Sequence, residues 1–177
     1  PDRDFDGWSD AVDAFPDDSS QWADRDGDGY GDSANGLTPD GCPDEVGNST
    51  EDRFGCPDSD GDGWSDAGDA LPAEPTQWSD RDGDGWGDDE SGNLNDTFPL
   101  DSTQWGDRDG DGFGDNEFGN NGDACPDVWG ISTVDRNGCP DRDDDGVSDL
   151  NDAFPDDPTR WQDTDGDGVE DSLDEFP

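Results

Sequence analysis

The chain has 177 residues and among them no histidine, no lysine and no methionine. Without histidine there is no imidazole for zinc and no base for a nucleophilic triad. Positive charge is scarce: eight arginines face 53 acidic residues, for a formal net charge of -45. Phosphate backbones and anionic lipid surfaces are repelled by such a chain, so nucleic acid is excluded as a partner. Hydrophobic residues make up only 24 %, about half the usual apolar share, which excludes one ordinary core. No apolar run approaches the ~18 residues of a membrane span, so membrane insertion is not expected. Even glutamate is rare, 7 against 46 aspartates.

A chain this acidic would ordinarily repel itself and stay disordered. Two features argue otherwise. Solubility alone would be served by glutamate as well as by aspartate, whereas the shorter arm of aspartate suits tight turns and oxygen cages. The chain also carries eight tryptophans and eight phenylalanines, rings that disordered acidic tails lack.

One pattern recurs seven times: Asp-x-Asp-x-Asp-Gly-x-x-Asp, then a further Asp, two residues and Pro, with Cys-Pro in two cases. The first residues, Asp2, Asp24, Asp58, Asp80, Asp107, Asp141 and Asp163, lie 22, 34, 22, 27, 34 and 22 residues apart. Counted from that first Asp, positions 1, 3, 5 and 9 are Asp in every loop and position 6 is Gly in every loop. After the first Asp, the sets continue with Asp4, Asp6 and Asp10; Asp26, Asp28 and Asp32; Asp60, Asp62 and Asp66; Asp82, Asp84 and Asp88; Asp109, Asp111 and Asp115; Asp143, Asp145 and Asp149; Asp165, Asp167 and Asp171. A last Asp stands at position 12 in the first, third, sixth and seventh loops, as Asp13, Asp69, Asp152 and Asp174. A five-residue insert delays it to Asp40, Asp96 and Asp123 in the second, fourth and fifth. The inserts are rich in turn formers, such as Asn35-Gly36, Gly92-Asn93 and Gly119-Asn120-Asn121-Gly122. Most linkers run eight residues from Pro to the next loop, and the two that run fifteen carry the cysteines. The reading is of a single repeat array over 1–177, with units 1–23, 24–57, 58–79, 80–106, 107–140, 141–162 and a truncated 163–177.

This spacing points to calcium. Ca2+ takes six to eight hard oxygen ligands; positions 1, 3, 5, 9 and 12 supply side chains, position 7 its backbone carbonyl, and Gly at 6 permits the sharp turn. Position 7 is Trp8, Tyr30, Trp64, Trp86, Phe113, Val147 or Val169, each with a non-ligating side chain able to pack. Thirty-five aspartates fill five positions of seven loops without substitution, a phase that a merely solvated acidic tract would not hold. At least seven calcium ions are expected. Magnesium, octahedral and slow to shed water, suits such loops less. The loops are not EF-hands: position 12 is Asp, Pro follows three residues on, and Gly and Pro leave no room for flanking helices.

The residues resemble thrombospondin type 3 repeats, whose signature is Asp-x-Asp-x-Asp-Gly-x-x-Asp-x-x-Asp-x-x-Pro. Asp2 to Pro16, Asp58 to Pro72 and Asp141 to Pro155 match it end to end. Asp123 to Pro140, with two Cys-Pro pairs, is similar to the variant in bacterial outer-membrane and cell-surface proteins. The Asp-Ala-Phe-Pro…Gln-Trp spacing is similar to repeat arrays of marine microbial surface proteins. The resemblance covers essentially the whole chain. It implies an irregular fold with little regular secondary structure: an elongated, calcium-stabilised array whose backbone wraps a line of ions. It also implies carboxylates that bridge two ions, so that more than seven bind. The inserts depart from the signature and leave the last ligand of the second, fourth and fifth loops open.

Aromatic residues keep phase too. Before the closing Pro stand Phe15, Leu71, Phe98, Phe154 and Phe176, and two residues before the next loop stand Trp22, Trp78, Trp105 and Trp161. The expected packing is Phe15 on Trp22, Leu71 on Trp78, Phe98 on Trp105 and Phe154 on Trp161. In the fifteen-residue linkers the same slots hold cysteines, which selects Cys42–Cys56 and Cys125–Cys139 from three possible pairings. Each bridge closes a ~15-residue loop, worth roughly 3 kcal/mol by chain entropy. Free or zinc-bound thiols are disfavoured by the lack of Cys-x-x-Cys and of His. Gln21, Gln77 and Gln104 precede three tryptophans and are placed to bond backbone carbonyls; Arg160 holds that slot before the seventh loop. Arg3, Arg25, Arg81, Arg108 and Arg142 occupy position 2, facing away from a metal, as counter-charges linking neighbouring loops. Asn48-Ser49-Thr50 and Asn95-Asp96-Thr97 are glycosylation sequons.

The functional expectation is a structural protein outside the cell or on its surface, a spacer, stalk or filament component. Disulfides and aspartate-built calcium sites both suit that environment. Partners expected are calcium ions and further copies of the chain in a fibre. The alternative is a calcium-dependent adhesive module that binds glycan or a partner protein. Catalysis is not expected, because these acids repeat in like settings whereas carboxylate catalysis needs unlike ones. Both ends fall mid-register, as expected of a piece of a longer array.

Overall fold

The computed structural model describes all 177 residues. It has no helix and no extended strand; regular pairing is limited to isolated bridges, Gly31 with Pro39, Asp40 with Phe54, Gly87 with Asn95 and Gly114 with Gly122. The irregular fold read from the sequence is therefore present. Gly and Pro interrupt every turn, and aspartate side chains compete for the backbone donors that helix or sheet would use. No helix is long and apolar enough to cross a membrane. The chain forms two compact units, Pro1–Asn95 and Asp96–Pro177, with the boundary inside the fourth loop.

Every loop closes in the same way. The position-9 amide donates to the carbonyl just before position 1, as Asp10 to Pro1 at 2.9 Å, Asp66 to Pro57 at 2.8 Å and Asp171 to Gln162 at 3.0 Å. In the short loops the last Asp donates its amide to the position-8 carbonyl: Asp13 to Ser9, Asp69 to Ser65, Asp152 to Ser148 and Asp174 to Glu170. The inserted loops keep that bond, from Asp40 to Gly31 at 2.8 Å and from Asp123 to Gly114 at 2.7 Å. The insert is thus an outward excursion that leaves and returns at the same place. Asp40 and Asp123 are structural equivalents of position 12.

The interior is inverted relative to an ordinary domain. The buried hydrophobic residues are Cys56, Cys139 and Val147, while Gln21, Gln77, Gln104, Ser49, Ser65, Ser132, Ser148 and Asp123 are all at most 1 % exposed. Buried polar groups persist only when satisfied, and most of these are. Each glutamine holds an insert. Gln77 donates to the carbonyls of Asp89 and Asn93 at 2.8 and 2.9 Å and accepts from the Asp89 amide at 2.9 Å. Gln104 makes the same three bonds to Asn116 and Asn120, and Gln21 binds Ser33 through both ends of its amide. The glutamines precede the three inserted loops and no others. Position 8 there is Gly31, Gly87 or Gly114, where a Cβ would lie 2.0–2.1 Å from the glutamine oxygen.

Both disulfides form as the slots predict, Cys42–Cys56 and Cys125–Cys139. Within each linker a buried serine pins the bridge: Ser49 accepts from the Cys56 amide and donates to the Arg53 carbonyl, and Ser132 does the same with Cys139 and Arg136. The linker then grips the following loop. Asp52 accepts from the amide and hydroxyl of Ser65, and Asp135 from those of Ser148.

The aromatic contacts differ from expectation. Trp22 stacks on Trp8 and Trp78 on Trp64, with ring centroids 6.5 and 6.2 Å apart and planes within 6°. Tyr30 stacks on Phe54. For Trp22 and Trp78 the ring partner is the position-7 residue of the preceding loop. The residue preceding the pre-proline slot donates its amide to the tryptophan carbonyl, Ala14 to Trp22, Ala70 to Trp78 and Ala153 to Trp161. Phe154 lies under the Arg160 guanidinium, 4.3 Å from its centroid.

Candidate metal centres

The fifth loop illustrates the site. Asp107 turns the chain: its two oxygens accept from the amides of Gly110 and Gly112 at 2.7 and 2.9 Å. Gly112 has φ of +94°, a left-handed conformation that side chains resist, which is why position 6 never varies. Asp109 Oδ1 accepts from the Asp111 amide, Asp111 Oδ1 from Phe113 and Asp123 Oδ1 from Cys125. Asp109 and Asp123 thus have one oxygen fixed to backbone and the other buried without a partner, whereas both oxygens of Asp107 are held by amides and Asp111 Oδ2 accepts from the Gly130 amide at 3.1 Å. All seven last aspartates make the same bond to the residue two positions on.

Ligand-type oxygens converge within 4.8 Å in Asp2, Asp4 and Asp6; Asp24, Asp26 and Asp28; Asp58, Asp60 and Asp62; Asp80, Asp82 and Asp84; Asp107, Asp109 and Asp111; and two more such groups occur. The last aspartate joins its loop electrostatically. Burial pushes Asp40, Asp69, Asp123 and Asp152 above the usual carboxylate range, and carboxylates of the same loop push further: Asp28 on Asp40, Asp62 on Asp69, Asp111 on Asp123 and Asp145 on Asp152. Desolvation, with neighbouring carboxylates, also raises Asp4, Asp109 and Asp143. Acids of the linkers and of the fourth-loop insert move the other way. Hydroxyl hydrogen bonds from Ser20, Ser91, Thr103 and Thr159 hold Asp18, Asp89, Asp101 and Asp157 low.

The inward oxygens provide the fit test for a metal. Oδ2 of Asp4, Asp6, Asp13, Asp26, Asp40, Asp60, Asp62, Asp84, Asp109, Asp123, Asp143 and Asp145 is buried and has no hydrogen-bond partner. Buried acceptors left unsatisfied cost about 1–3 kcal/mol each, more when charged. They fall at positions 3, 5 and 12 or its equivalent and nowhere else. Convergent, unsatisfied carboxylate oxygens are the donor set of a hard cation, and the residues present fit one.

Position 9 is arranged differently. Its Oδ1 accepts the position-2 amide in all seven loops. Its other oxygen meets the position-2 side chain in several, as Asp66 with Ser59 and Asp171 with Thr164. These aspartates brace the loop from outside the converging triads. Four of the position-2 arginines also pair within their own unit rather than with a neighbouring loop. Arg3, Arg25, Arg108 and Arg142 reach Asp17, Asp44, Asp127 and Asp156 at 2.6–3.3 Å, each the residue after the closing proline. At position 7 the amide donates to the position-5 carboxylate, as Trp8 to Asp6 and Val169 to Asp167, and the side chain is free to stack. Set beside known proteins, the chain matches no family model and no curated protein.

Proposed function

We propose that this chain is a calcium-binding structural repeat protein, used outside the cell as a spacer, stalk or filament component, with thrombospondin type 3-like loops as its repeating element. The observation that carries this reading is the set of buried, unpartnered Oδ2 atoms at positions 3, 5 and 12. Two carboxylates 4–5 Å apart repel by roughly 3–4 kcal/mol even at an effective dielectric of ~20. A divalent cation converts that repulsion into attraction, so ion binding and folding become one event. In each loop that lies within one unit the positions 1, 3, 5 and 12 carboxylates would hold the ion, the position-7 carbonyl would complete it, and position 9 would brace the turn. Seven ions take the formal charge from -45 to -31, since each contributes +2.

Stiffness follows from the linkers. Glutamine, disulfide or stacked tryptophan ties a linker to the loops it joins, so ordering passes from loop to loop as in other repeat arrays. The disulfides suit an oxidising, extracellular setting. The test is removal of the ion. Excess chelator is expected to abolish near-ultraviolet dichroism, shift tryptophan emission to the red and open the chain to protease; unchanged signals refute the proposal.

A further inference from the structure

We propose that the fourth loop carries a binding site for a neutral sugar, one or two rings in size, in the cleft between Trp78 and Arg81. The cleft has a volume of about 460 Å3 and is walled by Gln77, Trp78, Ser79, Arg81, Asp88 and the Asp89–Glu90 pair, within the range of small-molecule sites. Gln77 is spent on the insert, so it is wall rather than contact. Trp78 is stacked against Trp64 yet 38 % exposed, and an aromatic face takes the C–H face of a sugar ring.

Arg81 sets this loop apart. Other position-2 arginines are drawn onto the acid after the closing proline, as Arg25 onto Asp44 and Arg108 onto Asp127, both at 2.6 Å. In the fourth loop that residue is Leu100, and the nearest carboxylate oxygen to the Arg81 guanidinium is Asp88 Oδ2 at 3.9 Å. That long pair is the guanidinium's ion pair here, against 2.6 Å for Arg25 and Arg108. In the same lining, Glu90 and Asp89, whose Oδ1 already accepts from Ser91, offer acceptors where the second loop has Ser33 and Ala34. An anion would meet three carboxylates and the field of the whole chain, and a cation would meet Arg81. A polyol fits both walls: its hydroxyls donate to Asp89 and Glu90 and accept from Arg81.

The test uses the calcium-loaded full chain. Neutral gluco-, galacto- and manno-configured disaccharides are titrated by saturation-transfer NMR and tryptophan fluorescence, with glucuronate and a glucosamine oligomer as charged comparators. At least one neutral disaccharide is expected to bind with a Kd of about 1 mM or tighter. Arg81→Gln, a change at an exposed side chain, weakens it at least ~10-fold, about 1.4 kcal/mol, and Trp78→Ala does likewise, with Trp78→Phe as its folded control. Arg25→Gln in the second loop leaves it unchanged. No neutral sugar bound, tighter binding of a charged comparator, or Arg81→Gln without effect overturns the site. Ion binding is measured separately, so that failure leaves the calcium reading standing.

Discussion

Truncating Gln104 to alanine is expected to cost the calcium-loaded protein roughly 2–4 kcal/mol, a large effect for one polar side chain. Gln104 is 1 % exposed and lies wholly within the second unit. Its Nε2 donates to the carbonyls of Asn116 and Asn120 at 2.9 and 3.0 Å, and its Oε1 accepts from the Asn116 amide at 3.0 Å. Truncation strands the Asn116 amide and the Asn120 carbonyl, while the Asn116 carbonyl keeps the Gly119 amide; a stranded group costs about 1–3 kcal/mol when buried and unsatisfied. Water reaching the outer insert relieves part of that, which gives the range. The loss reaches the ion, because the Asp123 amide is held by the Gly114 carbonyl at 2.7 Å at the mouth of the same insert. Gln104→Glu has the same shape but turns an oxygen toward two carbonyls, so it should be as damaging as alanine. The assay is urea unfolding in saturating calcium, read by tryptophan fluorescence, with bound ions counted by native mass spectrometry. A stability change below about 1 kcal/mol with a full ion count refutes the reasoning, as does a harmless Gln104→Glu.

Ligand and brace should separate within one loop: Asp109→Asn is expected to lose the fifth-loop ion, whereas Asp115→Asn, whose Oδ1 accepts the Arg108 amide, keeps it and loses about 1 kcal/mol of stability; calcium counting on both variants decides. In chelator, Asp40, Asp123 and Asp152 have folded pKa values above their unfolded ones, so their contribution is complete below pH ~4 and lost as pH rises. The metal-free chain should therefore be more compact near pH 4 than at pH 7 by small-angle scattering. Asp18, Asp89, Asp101 and Asp157 act with the opposite sign, but they are more exposed and screened by solvent. In saturating calcium the trend reverses, because protons compete for the ligand oxygens; a chain that compacts with rising pH in chelator contradicts this. Replacing Cys125 and Cys139 together with serine should cost the calcium-loaded form about 3 kcal/mol, seen as a lower thermal midpoint that reductant lowers further only through the remaining Cys42–Cys56 bridge.

The loop was legible because its rule is written in residue type. Asp at fixed positions and Gly at position 6 report a local geometry that needs no distant partner. The disulfides were legible for the same reason, since they take slots in an established phase, whereas the inserts left the last ligand of the second, fourth and fifth loops open. What the sequence left open depends on where the backbone returns. The glutamine clamp has a signal in the chain, since Gln21, Gln77 and Gln104 precede the inserted loops and Gly31, Gly87 and Gly114 follow at position 8. Its meaning appears only when the insert folds back over the side chain. The tryptophans had two candidate partners at similar reach, and irregular backbone has no period by which to choose between them. The arginines reach acids 14 or 19 residues on, a span set by the presence or absence of the insert.

Calcium titration of the chelator-stripped full chain, followed by native mass spectrometry, bears most directly on whether cations replace the missing apolar interior. At least seven ions should load, with the broad charge-state distribution of an expanded chain collapsing to a narrow one over the same range. A narrow distribution before any calcium is added, or full ordering with the carboxylates ion-free, would contradict the account.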